Sequence, residues 1–223
     1  MKMREEARRM LAGVQDLLQT GSPVTVRGIR RLQSPRGPTT AERPPLLGSV
    51  LVLLDTSDSM LGEKLEFAKR GCAELASQVT RAGFTAGLIT FASDSRVRLK
   101  ATVKPGILAA HLETVSAGGG TRMLLALEDV ERMLRVRGRG RCGVVVATDG
   151  HTLDQDVCLE LAHRLRRRNV RIGAIGTDDA DMEFLNQLTG HSGRAIYAGN
   201  PETFGTAIGS SSRLLLGEGS GGS

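Results

Sequence analysis

Val50-Leu51-Val52-Leu53-Leu54-Asp55-Thr56-Ser57-Asp58-Ser59-Met60 sets five consecutive apolar residues directly against a carboxylate and two hydroxyls. An apolar run without polar alternation is what a strand buried on both faces requires, because each face then meets a layer of helices. The polar residues that follow it therefore leave a buried strand at its carboxyl end. In an open α/β sheet that is where ligands bind.

Working outward, the same grammar repeats. Residues 62–82 carry Leu65, Ala68, Cys72, Leu75, Ala76 and Val79 at helical spacing. Residues 85–91 form a second strand. Residues 96–103 alternate strictly, which predicts an edge strand with one wet face, joined to its neighbour by a hairpin at 93–95. Helices are expected over 105–115, 122–136, 153–168, 179–189 and 201–216, with further strands at 142–147, 170–175 and 194–197. Alternation of this kind predicts an α/β fold. Its central sheet is doubly wound and mostly parallel, with one antiparallel edge strand and helices on both faces.

This domain is expected over 46–216. Residues 3–19 place Met3, Ala7, Met10, Leu11 and Val14 on one helical face, and 21–45 are rich in Pro, Gly, Ser, Thr and Arg. Residues 1–45 thus read as an amphipathic helix and a basic arm. The final Gly217-Glu218-Gly219-Ser220-Gly221-Gly222-Ser223 has the composition of a flexible tail or expression remnant.

The net charge of +6 raises the question of nucleic acid. Residues 1–45 hold nine Lys/Arg against four Asp/Glu, whereas 46–223 hold 21 against 20. The basic surplus belongs to the arm, and no aromatic stacking positions accompany it, which argues against a nucleic-acid partner. The three cysteines, Cys72, Cys142 and Cys158, lack any paired spacing and suit a reducing compartment, so the cytoplasm is the expected location. No apolar run is long enough to span a bilayer, and the charged start is unlike a secretory signal.

Three strand or helix ends carry the chemistry. Asp55, Ser57 and Ser59 offer three oxygens at alternate positions of one loop. Thr121 follows Gly118-Gly119-Gly120 at a helix start, and Asp149 follows the strand at 142–147. All five are hard oxygen donors, which select Mg²⁺, Mn²⁺ or Ca²⁺ over Zn²⁺ or copper. Two carboxylates balance a divalent charge, and neutral hydroxyls leave the ion receptive to an outside carboxylate. Asp58, Met60, Gly120 and His151 stand next to these donors and are candidates for the ligand surface. Asp178, Asp179 and Asp181 read as acids at a helix N-terminus rather than a second ion site.

In this order and at these places, the five residues resemble the metal-ion-dependent adhesion site (MIDAS) of the von Willebrand factor A (vWA) domain family. Asp55, Ser57 and Ser59 match its DxSxS motif, Thr121 its distant Thr and Asp149 its last Asp. The resemblance covers about residues 48–215 and implies a Rossmann-like vWA fold. It further implies that Ser57 and Ser59 bind the ion directly, Asp55 and Asp149 directly or through water, and Thr121 according to conformational state. The open position would take a partner's Asp or Glu, and the last helix, 201–216, would shift with ligand. Asp58 departs from the glycine that many relatives have between the serines. Intracellular relatives work beside AAA+ ATPases or in stress-response assemblies, so such a partner is what the resemblance suggests.

The expected function is a non-enzymatic, metal-dependent protein-binding module. A phosphatase of the haloacid dehalogenase type also begins with Asp after a buried strand. It needs a second Asp two positions on, where this chain has Ser57, and a basic residue to hold phosphate, which the sequence does not supply. A scaffold whose site carries no metal is the third reading.

Overall fold

In the computed structural model, residues 46–137, 141–190 and 195–216 are described. The expected N-terminal helix and arm over 1–45, the tail over 217–223 and Arg194 of the last expected strand lie outside these residues.

Strand β1 (Gly48–Asp55) is buried from Val50 onward. Its side chains divide between two cores, as alternation along a strand demands. Val50, Val52 and Leu54 face one cluster, while Leu51 and Leu53 face the other. β1 is followed by a 3₁₀ turn at Asp58–Met60 and helix α1 (Glu63–Arg81). Then come β2 (Phe84–Phe91), β3 (Ser95–Thr102), α2 (Pro105–Glu113), α3 (Met123–Arg137) and β4 (Arg141–Thr148). The chain continues through α4 (Gln155–Arg167), β5 (Val170–Thr177), α5 (Met182–Thr189), β6 (Ala195–Ala198), α6 (Pro201–Ser210) and α7 (Ser212–Leu216).

The six strands run in the order β3-β2-β1-β4-β5-β6. All neighbours are parallel except β2 and β3, which pair antiparallel. The alternating segment is thus the antiparallel edge, as its pattern requires. From β1 the chain passes to β2 on one side and returns to β4 on the other. The connections leaving β1 and β4 therefore diverge, which opens a crevice at the carboxyl ends of those two strands. Helices α1, α2, α6 and α7 contribute to the core on one face, and α3, α4 and α5 to the core on the other.

The six inward residues read from the periodicity of α1 are all buried. The single helix expected over 201–216 is two helices instead. Ser211 ends α6, with its backbone N–H and its hydroxyl both turned to the Ile208 carbonyl. The Ser210 and Ser211 hydroxyls bond to main-chain carbonyls and compete with the helical ladder, and the chain restarts as α7.

Helix α6 lies close against α1 because glycines face each other. A Cβ on Gly71 would come within 2.2 Å of the Gly205 carbonyl oxygen, and one on Gly205 within 2.5 Å of the Phe67 carbonyl oxygen. Both obstacles are backbone, so neither can rotate away. Gly71→Ala is therefore expected to cost about 1–3 kcal/mol of stability through overpacking, read as a lowered urea midpoint. The three cysteines are buried, and burial pushes the Cys72 thiol up to about 12.

Candidate metal centre

Because β1 is central and buried, its last residue, Asp55, is fully buried as well. Such a carboxylate needs donors. Its Oδ1 accepts the Ser57 backbone N–H at 2.8 Å, and its Oδ2 accepts the Thr148 hydroxyl at 2.5 Å. Burial pushes its pKa above the ordinary 3.8, and the nearby Asp149 charge adds to the rise against the lowering effect of Thr148 and Ser57. The 3₁₀ turn then brings the hydroxyls of Ser57 and Ser59 within 3.1 Å of each other. Ser59 donates to Asp149 Oδ1 at 2.7 Å. Four of the five expected donors thus form one connected group.

The loop before α3 is pinned over this group by main-chain bonds. Gly118 N–H donates to the Thr56 carbonyl and Asp58 N–H to the Gly119 carbonyl. Gly119 has φ 91° and lies so near Ser93 that an added Cβ would come 2.8 Å from its hydroxyl, so only glycine suits the position. Thr121 ends this loop half-buried, with its carbonyl accepting from Thr152. Its hydroxyl makes no hydrogen bond to the other four donors among the described residues.

The neighbours of these donors separate. Asp58, Gly120 and His151 are exposed, and His151 Nδ1 stands 3.8 Å from Asp181 Oδ2. Met60, expected on the ligand surface, is instead wholly buried in the core shared by α1, because the 3₁₀ turn points it inward. Asp181 caps α5, accepting from Phe184 N–H at 2.9 Å, and that bond holds its carboxyl below the ordinary value. Asp178 does not serve the helix end. It adopts φ 51° and reaches back toward the centre.

What it reaches is Lys64, which corrects the expectation that no basic residue lies beside the site. The Lys64 ammonium donates to Asp149 Oδ2 and to Asp178 Oδ2, the latter at 2.7 Å. Burial works against this charge, yet the two carboxylates outweigh it and hold the pKa above 10.5. Lys64 escapes a sequence search because it sits in the first turn of α1, five residues beyond Ser59, and nothing in the spacing aims it back. Thr148 escapes as well. Its position just before Asp149 is the only hint that its hydroxyl faces Asp55.

Among the described residues, no group of three His, Cys, Asp or Glu stands together as a metal cluster. An ion placed here would have hydroxyls with Asp55 and Asp149 for ligands, an oxygen set that fits a hard divalent cation.

The family model for the von Willebrand factor type A domain matches residues 49–208. The chain belongs to this family. Family members of this kind are protein-interaction modules. The collagen alpha-6(VI) chain of Mus musculus is 31% identical over 99 residues, covering 42% of this vWA chain and 4% of the collagen. The chain thus spans a small fraction of the length of that curated relative. Among solved structures, proximal thread matrix protein 1 from the mussel byssus, with a zinc-occupied MIDAS motif, is similar with a TM-score of 0.67 and 16% identity. That likeness covers 77% of this chain and 46% of the mussel chain. BatB, a conserved hypothetical protein from Bacteroides thetaiotaomicron, has a TM-score of 0.61 and 17% identity, covering 75% of this chain and 98% of its own. These structural likenesses speak for the fold. No helix among the described residues is long and apolar enough to cross a membrane.

Proposed function

We propose that this vWA domain captures an acidic side chain of a protein partner through a divalent ion held by Asp55, Ser57, Ser59, Thr121 and Asp149. The observation that carries the reading is the joined set of Ser57, Ser59 and Asp149 oxygens at the open end of the central strands. A bound ion would supply a positive centre with room for one outside carboxylate. Mg²⁺ is the expected ion, with Mn²⁺ or Ca²⁺ as substitutes. The zinc in the mussel protein makes Zn²⁺ a further ion to test.

The loops bearing the donors also carry Leu61 and Leu153, 62% and 88% exposed. An acidic residue flanked by apolar contacts is the partner chemistry that suits them. Binding rather than catalysis is proposed, since Ser57 occupies the place a phosphatase would need for its general acid. The cytoplasm is the proposed location, and an AAA+ ATPase or a stress-response assembly the kind of partner to look for.

Retention of a partner from native extract on the immobilised chain is expected with Mg²⁺ and is expected to be lost with EDTA and with Ser57→Ala. A partner that stays bound under both conditions would sink the reading. A metal-free scaffold is the second reading, favoured by the ammonium of Lys64 on Asp149. Calorimetry with Mg²⁺, Mn²⁺, Ca²⁺ and Zn²⁺ decides between them, since a scaffold of that kind gives no heat of binding.

A further inference from the structure

We propose that Lys64 is a tethered competitor for the ion: an arriving divalent cation must take Asp149 from the lysine, which retreats onto Asp178, so Lys64 sets the ion concentration at which the centre fills. The inference rests on the metal-binding reading above and concerns the regulation of that same site.

Four observations converge on it. The Lys64 ammonium bridges Asp149 Oδ2 and Asp178 Oδ2, so it has a second seat already made. The two seats differ, because the Asp149 side chain is fully buried whereas that of Asp178 is 41% exposed. Lys64 also stands in the first turn of α1, where the helix dipole disfavours a cation. Its placement is therefore explained by the carboxylates and not by the helix. Asp178 keeps a left-handed backbone, φ 51°, while it offers that second seat.

A divalent ion held by Asp149 would stand close to the ammonium that pairs with the same carboxylate, and like charges at short range repel strongly. Removing the ammonium charge relieves this repulsion and frees Asp149 Oδ2. The rival role is that of an outer partner that orients Asp149 as a ligand. Loss of such a partner weakens metal binding, so the two roles predict opposite signs.

The test is calorimetric titration of the full chain with Mg²⁺ and with Mn²⁺, using wild type, Lys64→Met, Asp178→Asn and the double variant. Asn accepts the left-handed backbone at 178 as Asp does, and ion-free thermal unfolding checks that each variant folds. Lys64→Met is expected to bind the ion about tenfold more tightly than wild type. Asp178→Asn is expected to bind more weakly, since the lysine is left with Asp149 alone. That second effect should shrink in the Lys64→Met background, as coupling between contacting residues requires. Equal or weaker binding by Lys64→Met, with wild type binding normally, overturns the competitor role and leaves the metal reading standing. Absence of ion binding in all four proteins overturns the metal reading and this inference together.

Discussion

Asp149→Ala is expected to lower divalent-ion affinity by more than about a hundredfold, beyond the 10- to 100-fold typical of losing an outer-sphere partner. Asp149 is one of only two carboxylates in the oxygen set, and it is 2% exposed. Without it a divalent ion keeps one compensating charge and otherwise meets neutral hydroxyls. The ion-free fold should suffer little by comparison. Lys64 retains Asp178, and the Ser59 hydroxyl is exposed enough to turn to water. The cost is therefore expected to stay below about 2 kcal/mol. Calorimetry with Mg²⁺ beside urea unfolding in EDTA separates the two effects. Ion binding that survives Asp149→Ala unchanged would remove Asp149 from the centre, and with it the proposed site.

The fold was legible because its elements state themselves locally. Leu51 and Leu53 against Val50, Val52 and Leu54 announce a strand with two buried faces, and the alternation over 96–103 announces the wet edge. The last helix was misread because apolar spacing continues through 211, while the break comes from serine hydroxyls bonding to the backbone. The five residues proposed as ion ligands, Asp55, Ser57, Ser59, Thr121 and Asp149, stand at element ends, where an argument from strand order looks for them. Lys64, Thr148 and Asp178 act through contacts 85 to 114 residues apart in sequence. No periodicity encodes such contacts. Met60 failed for the converse reason, since adjacency to Ser59 says nothing about which way a 3₁₀ turn points its next side chain.

Asp55→Asn is expected to abolish ion-induced stabilisation while making the ion-free protein more stable at neutral pH. Burial raises the Asp55 pKa above its ordinary 3.8, so the folded state holds the proton more tightly than the unfolded chain does. For a group raised in this way, the stabilising share is complete below the unfolded pKa and disappears as pH climbs through the folded value. Keeping this carboxylate charged at neutral pH therefore costs the fold, and a bound cation would offset that cost. An amide of the same shape carries no such charge. Its oxygen can still accept the Ser57 N–H, while its NH₂ can donate to a rotated Thr148 hydroxyl. In EDTA at pH 7 the gain is expected to be about 0.5–2 kcal/mol, the usual scale of a stability–function exchange, and it should raise Tm by a few degrees. The gain should shrink as pH falls toward the unfolded carboxylate range, where wild-type Asp55 is protonated and neutral like the amide. Thermal unfolding of both proteins at pH 7 and pH 4, with EDTA and with Mg²⁺, reads all three consequences. A lower ion-free Tm for Asp55→Asn at pH 7 would mean that the hydrogen bonds from Thr148 and Ser57 outweigh the burial cost, and the centre would then be stable without a cation.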